Sequence, residues 1–595
     1  MDKIELFDLY TYNPFEKSNK HIDDIIDYKN YKDLYTDFKN VVLKINRDIF
    51  ETFFKEDYYY GGKELVILTP KNVVFNLFLT SLTIQEIQKR HPKDLFEITV
   101  YKNQLDIDFR YVNFYALIAR NIKDRFSIIY SNKEFPTYKN DPQAENKLLS
   151  ALNFNFKFIL VEKLKSIFFL NSKNRILSVG RNYISREIET ELFLKNTDTI
   201  SIKKDLLESM RFISADESFN TQTYLKVSEI VEYNFLKIKD NYFNDTQVFN
   251  SFITEFSKYL SSLVLNLLSN KSIARGVVKD FKKQITHNIC VGNGLFSKEG
   301  IIIYDALKYN NIYFFSSSHG LTVGNSKDSL ENFYSDESLT SDTFFCYNQS
   351  SRSTRLANIN NKMEIIYTGG NDVSKNIRFK FIQKLILKNK LKMSDTTIFY
   401  VSHNIQLNRG KGFPCSKNNS QLFNDEKDLL TYLSKVNKQV VYKAYPTSQY
   451  YYERSEYIKS HISNFNNVSY YDKEVDFRYL RSISDIVVTQ SSESTLEWCI
   501  GIDVPLIFLD SDYYEPLENE DVKNAFKECF FFFNYDKIGW ENELIEFLNL
   551  PIKEINRRWK EKAIFRKKYD DIYLMSSKKN AGKIGSKVIL KHMNG

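Results

Sequence analysis

The chain has 595 residues, 43% hydrophobic and 27% charged, which excludes a disordered protein and a single ordinary core and predicts two or three domains. A formal net charge of +8 is too dilute over that length for a nucleic-acid binder, though it suits anionic substrates or a membrane face. Five scattered cysteines without a CxxC point to a reducing compartment, and no run reaches the roughly 20 apolar residues of a membrane span.

The N-terminal stretch MDKIELFDLYTYNPFEKSNK has no apolar signal core, so the expected location is the cytoplasm. Strands are predicted at ELVIL (64–68), FEITVY (96–101) and FSIIYS (126–131), with an amphipathic helix over 73–90. RILSVG (175–180) reads as a strand that turns at Gly180-Arg181-Asn182 into a helix. Residues about 195–283 read as a helical insertion, being almost free of Gly and Pro. HNICVGN ends in Asn293-Gly294 and is followed by a helix carrying Glu299 in its first turn; NIYFFSSS ends in Ser318-His319-Gly320. DTFFCYN (342–348) is a further strand, and 350–372 reads as an interdomain linker.

The C-terminal part alternates strand and helix more cleanly. Its strands are TTIFYVSH, KQVVYKAYP, NVSYYD, DIVVTQ, VPLIFL and FFFFN, and a charged helical tail follows from 554. Such alternation predicts an α/β fold with mostly parallel sheets, where ligands bind beyond the carboxyl ends of strands. The expected division is an N-terminal acceptor-side unit (1–360), a C-terminal nucleotide-binding unit (361–570) and a tail (571–595). Tyr (40) and Phe (48) are abundant in the manner of an AT-rich genome, so aromatic clusters are not taken as base-stacking platforms.

The hinge Gln490-Ser491-Ser492-Glu493-Ser494-Thr495 carries four hydroxyls between a buried strand and a helix. Helix N-termini leave unpaired N–H groups that favour an anion, and small hydroxyl side chains admit a phosphate. The competing reading is a capping box, Ser494-x-x-Glu497, which accounts for one serine. Glu497 is either that box's partner or a ribose contact. Strand-end position also marks Asn293, Gly294 and Arg181 for acceptor or sugar binding, and His403 for the donor; a polar turn is the simpler account of the first three and an equal one for His403. His319 is a turn histidine or a base. Asp510-Ser511-Asp512 has the form of a metal motif but follows a C-terminal strand, so it is read as a strand-end loop, and no metal is expected.

In order along the chain, Ser318-His319-Gly320 with Gly324, then Lys443-Ala444-Tyr445-Pro446, then Ser491-Ser492, Glu497, Gly501 and Pro505 resemble GT-B glycosyltransferases of bacterial capsule and O-antigen synthesis. The nearest types are the polysialyl-, Kdo- and CDP-glycerol-type transferases. Tyr445 stands where that family often carries histidine. The resemblance covers about residues 285–510 and implies two Rossmann-like doubly wound domains with a cleft between them. It implies a metal-independent glycosyltransferase without a cofactor, with His319 and Glu299 catalytic. Lys443, Tyr445, Pro446, Ser491, Ser492, Ser494, Thr495, Glu497 and His403 would bind the donor, and Asn293, Gly294, Gly320 and Arg181 the acceptor or sugar. The implied donor is a CMP-linked ulosonic acid such as Kdo or sialic acid. The implied acceptor is a glycan or lipid-linked glycan, with peripheral contact at the inner membrane and no nucleic acid. A CDP-glycerol-type polyol-phosphate transferase and a non-catalytic GT-B scaffold are the alternatives.

Overall fold

The computed structural model describes residues 3–7, 20–21, 31–54, 73–101, 113–131 except 123, 163–164, 167, 173–211 except 181, 221–318 except 296–297, 340–346, 363–369, 396–402, 419–444, 458–471, 477–480, 483–490, 492, 496, 504–574 except 513–516 and 518, and 581–594. Their strands form three sheets, and every strand pairing in them is parallel.

The first sheet holds β1 (Lys3–Phe7), β2 (Lys20–His21), β3 (Leu95–Tyr101) and β4 (Phe126–Ser131), in the order β2-β1-β3-β4. Its helices are α1 (Tyr31–Phe53), α2 (Val73–Arg90) and α3 (Phe114–Ala119). The expected strands at 96–101 and 126–131 and the helix at 73–90 are present. The one at 64–68 lies outside the described residues.

The second sheet comprises β5 (Asn174–Val179), β6 (Thr197–Ser201), β7 (Ile289–Asn293), β8 (Tyr313–Ser317), β9 (Thr343–Cys346) and β10 (Glu364–Tyr367), in the order β10-β9-β8-β7-β5-β6. The third comprises β11 (Thr397–Val401), β12 (Gln439–Lys443), β13 (Val468–Tyr470), β14 (Ile486–Thr489), β15 (Leu506–Asp510) and β16 (Phe531–Asn534), in the order β13-β12-β11-β14-β15-β16. β11 and β15 are buried along their whole length. That explains their continuous apolar runs, since parallel strands are covered on both faces. The chain therefore has the α/β architecture of two Rossmann-like doubly wound units expected of GT-B, with a third, smaller parallel sheet ahead of them.

The helical region contains α4 (Tyr183–Phe193), α5 (Lys203–Ser209), α6 (Thr221–Tyr242) and α7 (Thr246–Lys282). It differs from expectation at 197–201, where β6 pairs with β5 as the edge strand of the second sheet. β6 escapes a hydrophobic reading because its buried residues are Thr197, Asp198 and Thr199, the last bonded to Asp198 and Glu189. α7 spans about 55 Å at 1.5 Å per residue. Its N-cap is Asp245, whose side chain accepts from Gln247 N and Val248 N at 2.8 and 3.2 Å. Near that end, Glu255 accepts from Arg120 and Asn121 beyond α3, at 2.8 and 3.0 Å. Toward its other end, Arg275 makes a two-pronged ion pair with buried Asp305, at 2.8 and 3.0 Å. Asp305 lies on α8 (Lys298–Tyr309), the helix after β7. The insertion is thus a strut that joins the first sheet's helices to the second unit.

Side chains of β5 alternate: Leu177 and Val179 join the core shared with α7 and α8, whereas Ile176 joins the core shared with α4. Two further boundaries differ from expectation. β10, inside the expected linker, pairs with β9, so the second unit runs past residue 360. Residues expected as a tail form α15 (Ala581–Asn594), which returns to pack on α4. A Cβ on Gly582 would lie 2.6 Å from the Glu187 carbonyl oxygen, so only glycine permits this approach. Between β11 and β12 lies α9 (Asn419–Leu433), and a short α10 (Phe477–Leu480) precedes β14. After β15 come α11 (Glu520–Cys529), α12 (Trp540–Asn549), α13 (Ile552–Glu561), α14 (Ala563–Tyr569) and a π-helical turn, Asp570–Leu574. No helix among the described residues is long and apolar enough to cross a membrane.

Candidate functional site

In the third sheet the order reverses between β11 and β14: from β11 the chain proceeds first to β12 and β13, then returns to β14 on β11's other side. Crevices at such switch points, beyond the strands' carboxyl ends, are where open α/β sheets bind ligands. At this rim lie Ser402 after β11, Lys443 at the end of β12 and Ser492 just after β14. The Ser402 N–H donates to the Lys443 carbonyl at 3.0 Å, fixing the first two strand ends together. The Ser402 hydroxyl donates to Oε1 of Glu426, a wholly buried carboxylate on α9. Tyr442 OH donates to the same oxygen at 2.7 Å.

Lys443 is buried to 2% exposure, which is costly for an ammonium unless oxygens surround it. Its Nζ donates to the Ala444 carbonyl at 2.5 Å and lies 5.9 Å from the Tyr471 ring centroid. Ser492 is fully buried, as is Leu496 one turn on. This rim therefore sets a buried cation and buried Ser492 at strand ends, groups suited to an anion, while the Ser402 hydroxyl is committed to Glu426.

Farther along the same sheet edge, Asp510 ends β15. Lys523 bonds its Oδ2 at 2.8 Å and Asp512 at 3.3 Å, while Asp536 accepts from the Ser511 hydroxyl (3.1 Å) and the Asp512 N–H (2.8 Å). Burial raises the Asp510 acid above the usual carboxylate range, against the pull of the Lys523 ammonium. These carboxylates are engaged with protein donors, as a strand-end loop requires.

In the second sheet the reversal falls between β5 and β7. Gly292 is needed where these strands meet, since a Cβ there would lie 2.1 Å from the Val179 carbonyl oxygen. Gly180 turns the chain at φ +67°, and a Cβ on it would meet Asn293 Oδ1 at 2.2 Å. That oxygen is buried and has no hydrogen-bond partner among the described residues. Gly294 is buried beside it in sequence, and the first turn of α8 folds back so that Gly300 abuts Leu295. Glu299 sits half-buried in that turn, where the helix dipole favours a carboxylate.

Asn182 has a structural task. Its Oδ1 caps α4 through Ser185 N at 2.9 Å, and its Nδ2 donates to the carbonyls of Ser317 (2.8 Å) and Ser318 (3.2 Å). The serines ahead of His319 are similarly committed: Ser317 Oγ donates to Asn182 Oδ1 at 2.9 Å, and Ser316 bonds Ser341.

Of the residues predicted for the site, Asn293, Gly294 and Glu299 come together around the β5–β7 rim, and Lys443 and Ser492 around the β11–β14 rim. Arg181, His319, Gly320, His403, Tyr445, Pro446, Ser491, Ser494, Thr495 and Glu497 lie outside the described residues. Sequence reading missed Glu426 with its donors Ser402 and Tyr442. The available signal was position: Glu426 falls on the apolar stripe of α9, between Leu422 and Leu430, where a carboxylate is buried and so must be bonded.

No protein-family model matches this sequence, and no curated protein matches it. Among solved structures the chain is similar to UDP-GlcNAc 2-epimerase from Neisseria meningitidis bound to UDP-GlcNAc, at 13% identity over 71% of this chain and 100% of that one, with a TM-score of 0.39. It is similar to an alpha,alpha-trehalose-phosphate synthase (UDP-forming) from Burkholderia vietnamiensis, at 8% identity over 71% and 97%, with a TM-score of 0.38. A third is UDP-GlcNAc 2-epimerase from Methanocaldococcus jannaschii, at 12% identity over 71% and 99%, with a TM-score of 0.36.

Proposed function

We propose that this chain is a metal-independent GT-B glycosyltransferase that moves a sugar from a nucleotide-activated donor to a surface-glycan acceptor. One observation carries the reading: buried Lys443, which ends β12, and buried Ser492, just past β14, flank the end of β11 at the switch point of a Rossmann-ordered sheet. In this proposal the donor phosphates lie at that rim, with Lys443 offsetting their charge and Ser491 and Ser492 donating to their oxygens. Glu497 contacts the ribose, and Tyr445, Pro446 and His403 line the nucleotide pocket. Asn293 and Gly294, with Arg181 and Gly320, hold the acceptor. The bond from the anomeric carbon to the phosphate oxygen breaks as the acceptor oxygen attacks. His319, assisted by Glu299, takes the acceptor's proton, and the departing nucleotide keeps the electron pair. Rate enhancement would come mainly from positioning and from charge stabilisation on the leaving group.

The donor class proposed is a CMP-linked ulosonic acid. Thermal unfolding with CMP, CDP, UDP and GDP tests it. A nucleotide at a hundred times its Kd should add about 2.7 kcal/mol of stability. Stabilisation by CMP alone is expected. A CDP preference moves the reading to polyol-phosphate transfer, and no response to any of the four overturns the enzyme reading in favour of a scaffold. His319→Ala should abolish transfer while leaving nucleotide stabilisation unchanged.

A further inference from the structure

α6 holds the fold together by one side only. Val227, Val231, Asn234, Phe235 and Ile238 are buried, the helix packs on α1 and α7, and the Phe235 ring meets Phe38 and Phe252 at 6.0 and 4.9 Å. The opposite face carries Leu225, Tyr233 and Leu236, which are 60%, 61% and 48% exposed. Large apolar side chains gathered on a solvent-facing helix mark a contact surface. The charges among them are ordered. Lys226, Tyr233 and Asp240 stand seven residues apart, two helical turns each, so they form one line along the exposed face. Glu229 and Lys237 stand four residues to either side of Tyr233, and the Lys237 ammonium lies 4.0 Å from the centre of the Tyr233 ring. Lys226, Glu229, Glu232 and Asp240 are all exposed, and none has an oppositely charged partner among the described residues.

We infer that this face is the contact between two copies of the chain, with α6 packed antiparallel to its mate about a two-fold axis at Tyr233. In that register Lys226 meets the partner's Asp240, Glu229 comes level with the partner's Lys237, and the two Tyr233 rings meet at the axis. A two-fold contact must be self-complementary, and the charge order selects this one. Parallel pairing would set Lys226 on Lys226 and Glu229 on Glu229. An antiparallel axis at Glu229 would set that residue on itself, and one at Leu236 would set Glu232 against Asp240. An anionic partner would meet Glu229, Glu232 and Asp240 on this face against Lys226 and Lys237 alone. The inference stands without the nucleotide-sugar reading, because its assays use no substrate.

Sedimentation velocity of the full chain over a concentration series tests it. A monomer–dimer equilibrium in roughly the micromolar range is expected, since one pair of 22-residue helices makes a small interface. Lys226→Asp sets like charges together twice across the axis and should weaken dimerisation roughly tenfold. Adding Asp240→Lys restores opposite signs and should return the parent's affinity. Helix axes about 8–10 Å apart bring Tyr233 within disulfide reach of its copy, so Tyr233→Cys should give a covalent dimer on oxidation. Leu225→Cys is equally exposed but ~24 Å from its copy by helix rise, and should not. All these positions face solvent, so every variant should keep the parent's unfolding midpoint. A parent chain that stays monomeric up to about 100 μM overturns the inference. So does a dimer indifferent to Lys226→Asp, or cross-linking of Leu225→Cys as readily as of Tyr233→Cys.

Discussion

The second and third sheets solve one problem with the same parts, displaced by a residue or two. In each unit the helix after the first strand carries a buried glutamate that hydroxyls from the first two strands grip. In the second unit Ser178 and Thr199 take separate oxygens of Glu189, at 2.7 and 3.3 Å. In the third, Ser402 and Tyr442 share Oε1 of Glu426. Ser178 lies inside β5, ahead of its last residue, whereas Ser402 lies just past the last residue of β11. The first grip is therefore within the sheet and the second is at its rim, bonded to the strand end that carries Lys443. The rims differ accordingly. The one at β5 and β7 is stitched by Asn182 to Ser317 and Ser318 and carries the Glu299 carboxylate. The one at β11 and β14 carries buried Lys443 beside the braced Glu426. The same local device braces the sheet in one unit and braces a binding rim in the other.

That contrast can be broken most forcefully at the glutamates. Glu189→Ala and Glu426→Ala each leave a cavity and two buried hydroxyls without their acceptor, at a cost of about 3–5 kcal/mol in denaturant unfolding. Only Glu426→Ala should also weaken nucleotide binding; equal weakening by both would erase the distinction between the rims. Next in size is Lys443→Met, which keeps the volume and removes the cation. Loss of one charge-assisted bond of about 1.5–3 kcal/mol predicts roughly 10- to 150-fold weaker nucleotide binding by calorimetry. Unchanged affinity would separate Lys443 from the donor.

At the β5–β7 rim, Gly180→Ala forces a side chain into left-handed backbone and against Asn293, for about 1–2 kcal/mol of stability. It should leave nucleotide affinity alone, and a matching drop in affinity would couple the two rims. The smallest effect lies outside both. Arg557 and Arg558 hold the Glu554 acid down from 4.5 to about 2. A depressed acid contributes stability above its unfolded value, and that contribution fades as pH falls from 4.5 toward 2. Glu554 and its arginines lie at the protein surface, so Glu554→Gln should only slightly flatten the acid limb of a pH–stability profile, without altering either rim.

Much of this organisation is legible in the residues themselves. The runs that become β11, β12, β14 and β15 are apolar and β-branched because both their faces are covered, so reading them needs no knowledge of neighbours. Gly180 and Asn293 were legible as strand-end positions for the same local reason, whereas Lys443 was reached through the family resemblance. β6 and β10 were not. β6 buries threonines and an aspartate, and Thr199 finds its side-chain partner only on Glu189 of α4. β10 has only four residues, none of them fully buried, and a strand so short is recognised by the β9 it pairs with.

What the sequence determined by itself is therefore most of the strands of the second and third sheets, their parallel class and the small or polar residues that end them, because propensity and two-sided burial act within a few residues. Three things waited for tertiary structure. The strand order placed β5 beside β7 and β11 beside β14, and so chose which strand ends form a crevice. The long helix α7 acquired a purpose only when its two ends met Arg120 and Asp305. The final segment ceased to be a tail when Gly582 met the backbone of α4. Each rests on contacts between residues far apart in the chain, whose energy no local pattern encodes.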